Sequence, residues 1–168
     1  MLRISLVGAV IAALYGIIHD QITYSISPEY FTRVKFAQFH YADFGLPPRL
    51  LVAEIGVLAT WWVGFIAGWF LARVTVPSRP PAKALRSSLH GFGIIFASAL
   101  LAGVVGYCVG LFPGANSEFA TWRDFAAGRG VVDLPNFVRV AYIHNAGYLG
   151  AVLGLIAALI DVRRASRT

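Results

Sequence analysis

The chain has 168 residues, 58% of them hydrophobic and 13% charged, with a mean hydropathy of +0.69 and a formal net charge of +6. A soluble domain carries about a quarter of its residues as charges, so this composition excludes an ordinary soluble domain and is that of a membrane protein. A single cysteine, Cys108, excludes an intrachain disulfide framework.

The first apolar run covers residues 4–22, and residues 4–19 of it hold no Lys, Arg, Asp or Glu. Its start, MLR before an apolar core, also resembles a secretory signal peptide. Small residues in A-x-A spacing are missing at its end, where LYGIIHDQ follows the alanines. Cleavage is therefore the rival reading; it would leave three helices and displace or remove His19.

The stretch 23–49 comes next as a loop with structure of its own. Ser27 suits a helix cap, Pro28 the first helical position and Glu29 the first turn. Tyr30, Val34, Ala37, Tyr41 and Phe44 then recur every three or four residues, the stripe of an amphipathic helix. Phe31, Phe36 and Phe39 fall off that stripe, so aromatic rings occupy more than one face.

The second apolar run, 50–72, carries one charge, Glu54. Trp61, Trp62 and Trp69 are expected to pack or to face lipid. A proline-rich basic linker, VTVPSRPPAKALRSS, leads to the uncharged third run, 87–112. In it Ala99, Gly103, Gly106 and Gly110 form one small-residue stripe; Cys108 lies off that stripe and is expected to be a buried thiol. The stretch 113–136 contains GANSEFATWRDFAAGRG, in which Asn116 or Ser117 can cap a short helix, Phe119, Trp122 and Phe125 line one side, and Gly128 or Gly130 ends it. The fourth run covers 137–160, with Arg139 near its start.

A membrane-spanning helix needs about 20 mostly apolar residues. In hydrocarbon only helices and closed barrels satisfy the backbone, and these runs are too continuously apolar for barrel strands. The expectation is an all-α integral membrane protein: one membrane domain, residues 1–168, built as a four-transmembrane-helix bundle with two short interfacial helices in its outer loops. Arg3, the linker bases Arg73, Arg79, Lys83 and Arg86, and the tail bases Arg163, Arg164 and Arg167 would share one side, offset only by Asp161; charges on the other side balance. The positive-inside rule then places both termini in the cytoplasm, in the inner membrane. The net charge needs no nucleic-acid partner. The partners expected are the lipid bilayer and, for a small protein with glycine stripes, other membrane subunits or further copies of the chain.

Ionisable groups inside membrane helices are costly and usually face the bundle. His19, Glu54 and His144 fall at similar depth in the outer third, with Tyr107 nearby, whereas His90 falls at the cytoplasmic end. At about 100° per residue, His19 shares a face with Tyr15, Ala12 and Gly8, Glu54 with Trp61, Gly68 and Ala72, and His144 with Gly147, Ala151 and Ala158. Small residues mark helix contact faces in membranes, so the three are expected to converge. Asp20, Tyr107 and Asn145 would support them, Asp20 as an acceptor orienting His19.

The cluster has three readings. It can be an interhelical hydrogen-bond network. It can be a metal site of His19, Glu54 and His144, or a haem held by His19 and His144, since imidazole and carboxylate suit zinc, iron and copper. It can also be a proton or small-solute path. The function expected first is a non-catalytic accessory or scaffold subunit presenting Tyr30, Phe31, Phe36, Phe119, Trp122 and Phe125 to a partner. The alternative is a metal- or haem-binding redox protein, and the third a small transporter or proton-relay protein. No cofactor is fixed by the sequence.

Overall fold

The computed structural model describes residues 1–112 and 120–165; Phe119 and the caps Asn116 and Ser117 lie outside them. Among the described residues all regular structure is helical. Four long helices carry the fold: α1 (Leu2–Ile26), α4 (Pro48–Thr75), α5 (Pro81–Gly110) and α7 (Leu134–Arg164). Each is long and apolar enough to cross a membrane. α1, α4 and α7 outrun the expected boundaries at both ends, whereas α5 starts six residues early and ends at Gly110, two residues short of the expected 112. Hydropathy marks only the part suited to hydrocarbon, and a helix continues until local chemistry stops it. Pro48 and Pro81 sit in the first turns of α4 and α5, where the missing N–H costs nothing. Asp133 caps α7, its carboxylate accepting from the Asn136 N–H at 3.2 Å.

The long helices form two tight consecutive pairs. In the first, α1 runs antiparallel to α4 with Gly8 against Gly64 and Gly16 against Gly56, and a methyl group on any of the four would meet the partner's backbone. The Thr60 hydroxyl seals this seam, 2.8 Å from the Ala12 carbonyl and 2.7 Å from that of Gly56. In the second pair, Gly106 of α5 meets the Tyr142 backbone of α7, and Gly150 and Gly154 of α7 meet Ser98 and Ile95 of α5. Ala99, Gly103, Gly106 and Gly110 are buried, as their stripe predicts. The two pairs join at one end through Ile4, Leu71, Phe92, Ile95, Ala158 and Val162. Towards the other end they part around a cavity.

Large apolar side chains point outward. Leu6, Val10, Leu14, Ile18 and Ile22 of α1 are exposed, as are Leu149, Val152, Leu153 and Ile156 of α7, while glycine, alanine and serine fill the seams. A soluble bundle has the opposite arrangement. Trp61, Trp62 and Trp69 share this exposed surface. So does Cys108, correcting its expected burial: a thiol is a small hydrophobe and suits an apolar outer face.

Between α1 and α4 the chain runs as one continuous helical segment: α2 (Pro28–Tyr30), a π turn (Phe31–Lys35) and α3 (Phe36–Gln38), then a 3-10 turn (His40–Ala42). Ser27 caps it, its hydroxyl accepting from the Tyr30 N–H at 3.3 Å. The buried face lies one position on from the expected stripe. Phe31, Lys35, Phe39 and Ala42 are the buried positions, while Tyr41 and Phe44 are exposed. Tyr30 and Val34 pack towards α7, and Phe36 and Phe39 pack on Leu51 and Ile55 of α4. The Glu29 carboxylate pins the segment to the start of α7, accepting from the N–H groups of Val132 at 3.0 Å and Asp133 at 2.7 Å. The remaining short helix, α6 (Ala120–Ala127), lays Trp122, Phe125 and Ala126 against Phe137 and Val138. Gly130, with φ of 67°, then turns the chain back, a conformation that favours glycine.

Candidate functional site

The cavity is bounded by both helix pairs and roofed by the 28–38 segment. It has a volume of about 110 Å³ and a mostly apolar lining that includes Ala12, Ala59, Phe92, Ile95 and Ala99. At its outer end four ionisable side chains meet: His19 and Asp20 of α1, His144 of α7 and Lys35 of the π turn.

His144 is 3% exposed, with a polar neighbour at each ring nitrogen. Nδ1 lies 2.9 Å from the Val140 carbonyl one turn back along α7. A carbonyl only accepts, so Nδ1 carries the proton and donates. That leaves Nε2 facing Asp20 Oδ1 at 3.4 Å across the gap between α7 and α1. Three aromatic residues fix the ring's surroundings: Tyr30 stacks on it at 4.9 Å, Phe31 meets it at 6.2 Å, and Tyr148 meets it at 6.2 Å. Burial, with smaller contributions from Tyr148 and Asp20, raises the Tyr30 hydroxyl above a tyrosine's ordinary range, so that group stays protonated and able to donate.

His19 meets His144 edge to face at 4.8 Å between centroids and stacks on Tyr15, one turn back, at 5.5 Å. One ligand atom from each of His19, Asp20 and His144 lies within 4.8 Å of the others. Metal ligands bonded at about 2.0–2.1 Å in tetrahedral geometry stand about 3.3–3.5 Å apart. The His144–Asp20 separation already has that spacing, and His19 needs only a small closing movement. The Nδ1–H bond to a backbone carbonyl is also the usual outer support of a metal-binding imidazole.

His19 and His144 thus converge, but their carboxylate is Asp20 and not Glu54. Successive contacts of Gly8 with Gly64 and Gly16 with Gly56 put Glu54 at the axial level of His19, as expected. At about 100° per residue it lies almost opposite the face of α4 that lines the cavity. Its Oε2 is buried without a hydrogen-bond partner. The sequence held a signal for Asp20: Gly8, Ala12, Gly16 and Asp20 recur every four residues, and the carboxylate ends the small-residue stripe.

The expected supporting residues divide. Tyr107 borders a separate recess beyond His19, with Tyr15 and Ile143, and has no bond to the cluster. Asn145 is exposed on α7, a third of a turn from His144. His90 lies far from the cluster, its Nε2 3.2 Å from Asp161 Oδ2. A haem does not fit between the two imidazoles, because rings in edge contact leave no room for a porphyrin plate.

The aromatic residues expected to face a partner are largely turned inward. Phe31 is fully buried, Tyr30 covers His144, Phe36 packs on α4, and Trp122 and Phe125 pack on Phe137. Adjacent elements demand these rings, which therefore seal the site and fasten α6. Lys35 is the cavity-lining residue that the sequence reading missed: it stands four residues from each of the buried Phe31 and Phe39, but a charged side chain carries no apolar signal.

These observations define a class of architecture: an all-helical chain with four helices long and apolar enough to cross a membrane and a buried two-histidine, one-aspartate cluster between two helix pairs. No family model, curated protein or solved structure matches the chain.

Proposed function

We propose that this is a multi-pass inner-membrane protein with both termini in the cytoplasm, and that its function centres on a divalent first-row transition metal held by His19, Asp20 and His144. The observation carrying this reading is the convergence of three ligand atoms within 4.8 Å, drawn from two helices. Two imidazoles and one carboxylate suit iron(II) or zinc. Three protein ligands leave at least one coordination position free, on the side of the cavity. Such a centre can bind and polarise a small molecule, or exchange electrons if the metal is iron.

The membrane setting is supported by the outward Leu, Ile and Val residues and by the basic residues gathered at one end, among them Arg3, Arg73, Arg86 and Arg163. A scaffold role draws less support, because the aromatic rings that motivated it are used within the molecule. A proton path also draws less support, because Ile4, Leu71 and Phe92 fill the core that joins the two pairs and the buried polar groups at that end are the hydroxyls of Ser5, Thr75 and Ser88, which do not titrate in the ordinary range.

The test is metal analysis of protein purified from native membranes without chelator. About one equivalent of iron or zinc is expected, lost on His144→Ala and on Asp20→Asn and retained on Glu54→Gln. Protein that is metal-free as isolated and does not take up Co²⁺ on titration would overturn the reading, as would full occupancy in His144→Ala.

A further inference from the structure

Lys35 is the least explained residue in the molecule. It is 6% exposed, yet among the described residues no carboxylate lies within 4 Å of its ammonium and no hydrogen bond reaches it; the ammonium stands 5.8 Å from the Phe39 ring. Its ammonium is not among the side-chain atoms shut off from solvent without a partner, so it keeps accessible surface towards the spaces around it. The residue lies within the π turn, on the face it shares with the buried Phe31 and Phe39. Turns of this kind are often found at functional sites.

Lys35 stands where two spaces meet. On one side is the small cavity beside His19 and His144. On the other is a groove of about 520 Å³ between α4 and α7, with Trp62, Ile66, Ala151, Val152 and Leu155 along its sides. The volume is that of a ligand cleft. The groove extends about 10 Å along both helices, at about 1.5 Å per residue, and Trp62, Ile66 and Val152 also lie on the exposed outer surface. It is a slot that opens sideways, towards where bilayer chains would lie, and ends at one buried cation.

We propose that this groove binds a long-chain carboxylate, its chain between α4 and α7 and its head on the Lys35 ammonium. The single unpaired cation calls for a monoanionic head. The cavity beyond it, about 110 Å³, is small beside the groove and favours a compact head. The proposal needs the helices to lie in a bilayer or detergent, but it does not need the metal.

The experiment is quenching of tryptophan fluorescence by 9,10-dibromostearic acid in purified, chelator-treated protein, with Trp62 as the reporter at the groove. Saturable quenching is expected, largely lost in Trp62→Phe. Lys35→Met should weaken binding at least tenfold, while Lys35→Arg stays within about threefold of the parent. The methyl ester of the same acid should bind at least tenfold more weakly to the unmodified protein, a comparison that stands even if Lys35→Met does not fold. Equal binding of acid and ester would overturn the proposal. So would displacement of the acid by phosphatidylglycerol at equal concentration, which would assign the groove to a phospholipid. Because metal-free protein is used, failure here leaves the metal site standing, and failure of the metal analysis leaves this result intact.

Discussion

At the scale of single residues, the central fact is that among the described residues Asp20 is the one recorded polar neighbour of His144 Nε2. The imidazole's Nδ1–H is committed to the Val140 carbonyl, so Nε2 and the Asp20 carboxylate bond through a second proton held between them, on the imidazole or on the carboxyl. In metal-free protein, Asp20→Ala should therefore destabilise the fold by about 1–3 kcal/mol, the cost of leaving a buried polar atom without a partner. Glu54→Met should be neutral or stabilising, because the oxygen it removes is already unpartnered. Chemical or thermal unfolding in detergent, followed by circular dichroism, ranks the two; the reverse order would show that Glu54 and not Asp20 supports the histidines. The depth of these groups was legible in the sequence, since each helix direction and residue count fixes it. The choice between Asp20 and Glu54 was not, because both lie on faces rich in small residues. Only the packing of α1 against α7 decides which carboxylate meets His144.

At the scale of elements, glycine sets how closely each pair approaches. Gly56→Ala places a methyl group against the Gly16 backbone, and forcing that seam apart should cost about 1–3 kcal/mol. Gly93→Ala, where nothing lies within 4 Å, should be neutral or gain about 0.5–1 kcal/mol through reduced chain entropy. The same unfolding assay compares them, and equal effects would mean the seam is not the tight contact it looks to be. The outer segment depends on its cap. Ser27→Ala should loosen residues 28–38 by about 0.5–2 kcal/mol, read as faster amide exchange there than in α4. The four long helices could be read from hydropathy alone. Their ends could not, because Pro48, Pro81 and Asp133 act by cap chemistry beyond the apolar runs. Nor could the inward face of the outer segment: Phe31, Lys35, Phe39 and Ala42 recur as regularly as Tyr30, Val34, Ala37 and Tyr41, and only packing selects between the two stripes.

At the scale of the whole molecule, the distribution of bulk is inverted relative to a soluble bundle, and the basic residues sit together at one end. Both termini and the 76–80 connection should then face the cytoplasm, and the 28–47 connection the opposite side. In a Cys108→Ala background, Asp43→Cys should react with an impermeant maleimide in intact cells, and Ser78→Cys only after lysis. Labelling in the opposite pattern would reverse the assigned orientation and place the metal site nearer the cytoplasm.

The seam between the two pairs has a further consequence. Each pair is a consecutive hairpin, and each closes on its own glycines. The proposed metal ligands are divided between them, His19 and Asp20 on the first and His144 on the second. Neither hairpin alone can assemble the centre, so occupancy reports whether the two have met. A chain severed at residues 79–80 and expressed as two fragments should leave both hairpins intact and make their association depend on metal. In this protein the ion would act as a fastener between two prefabricated parts.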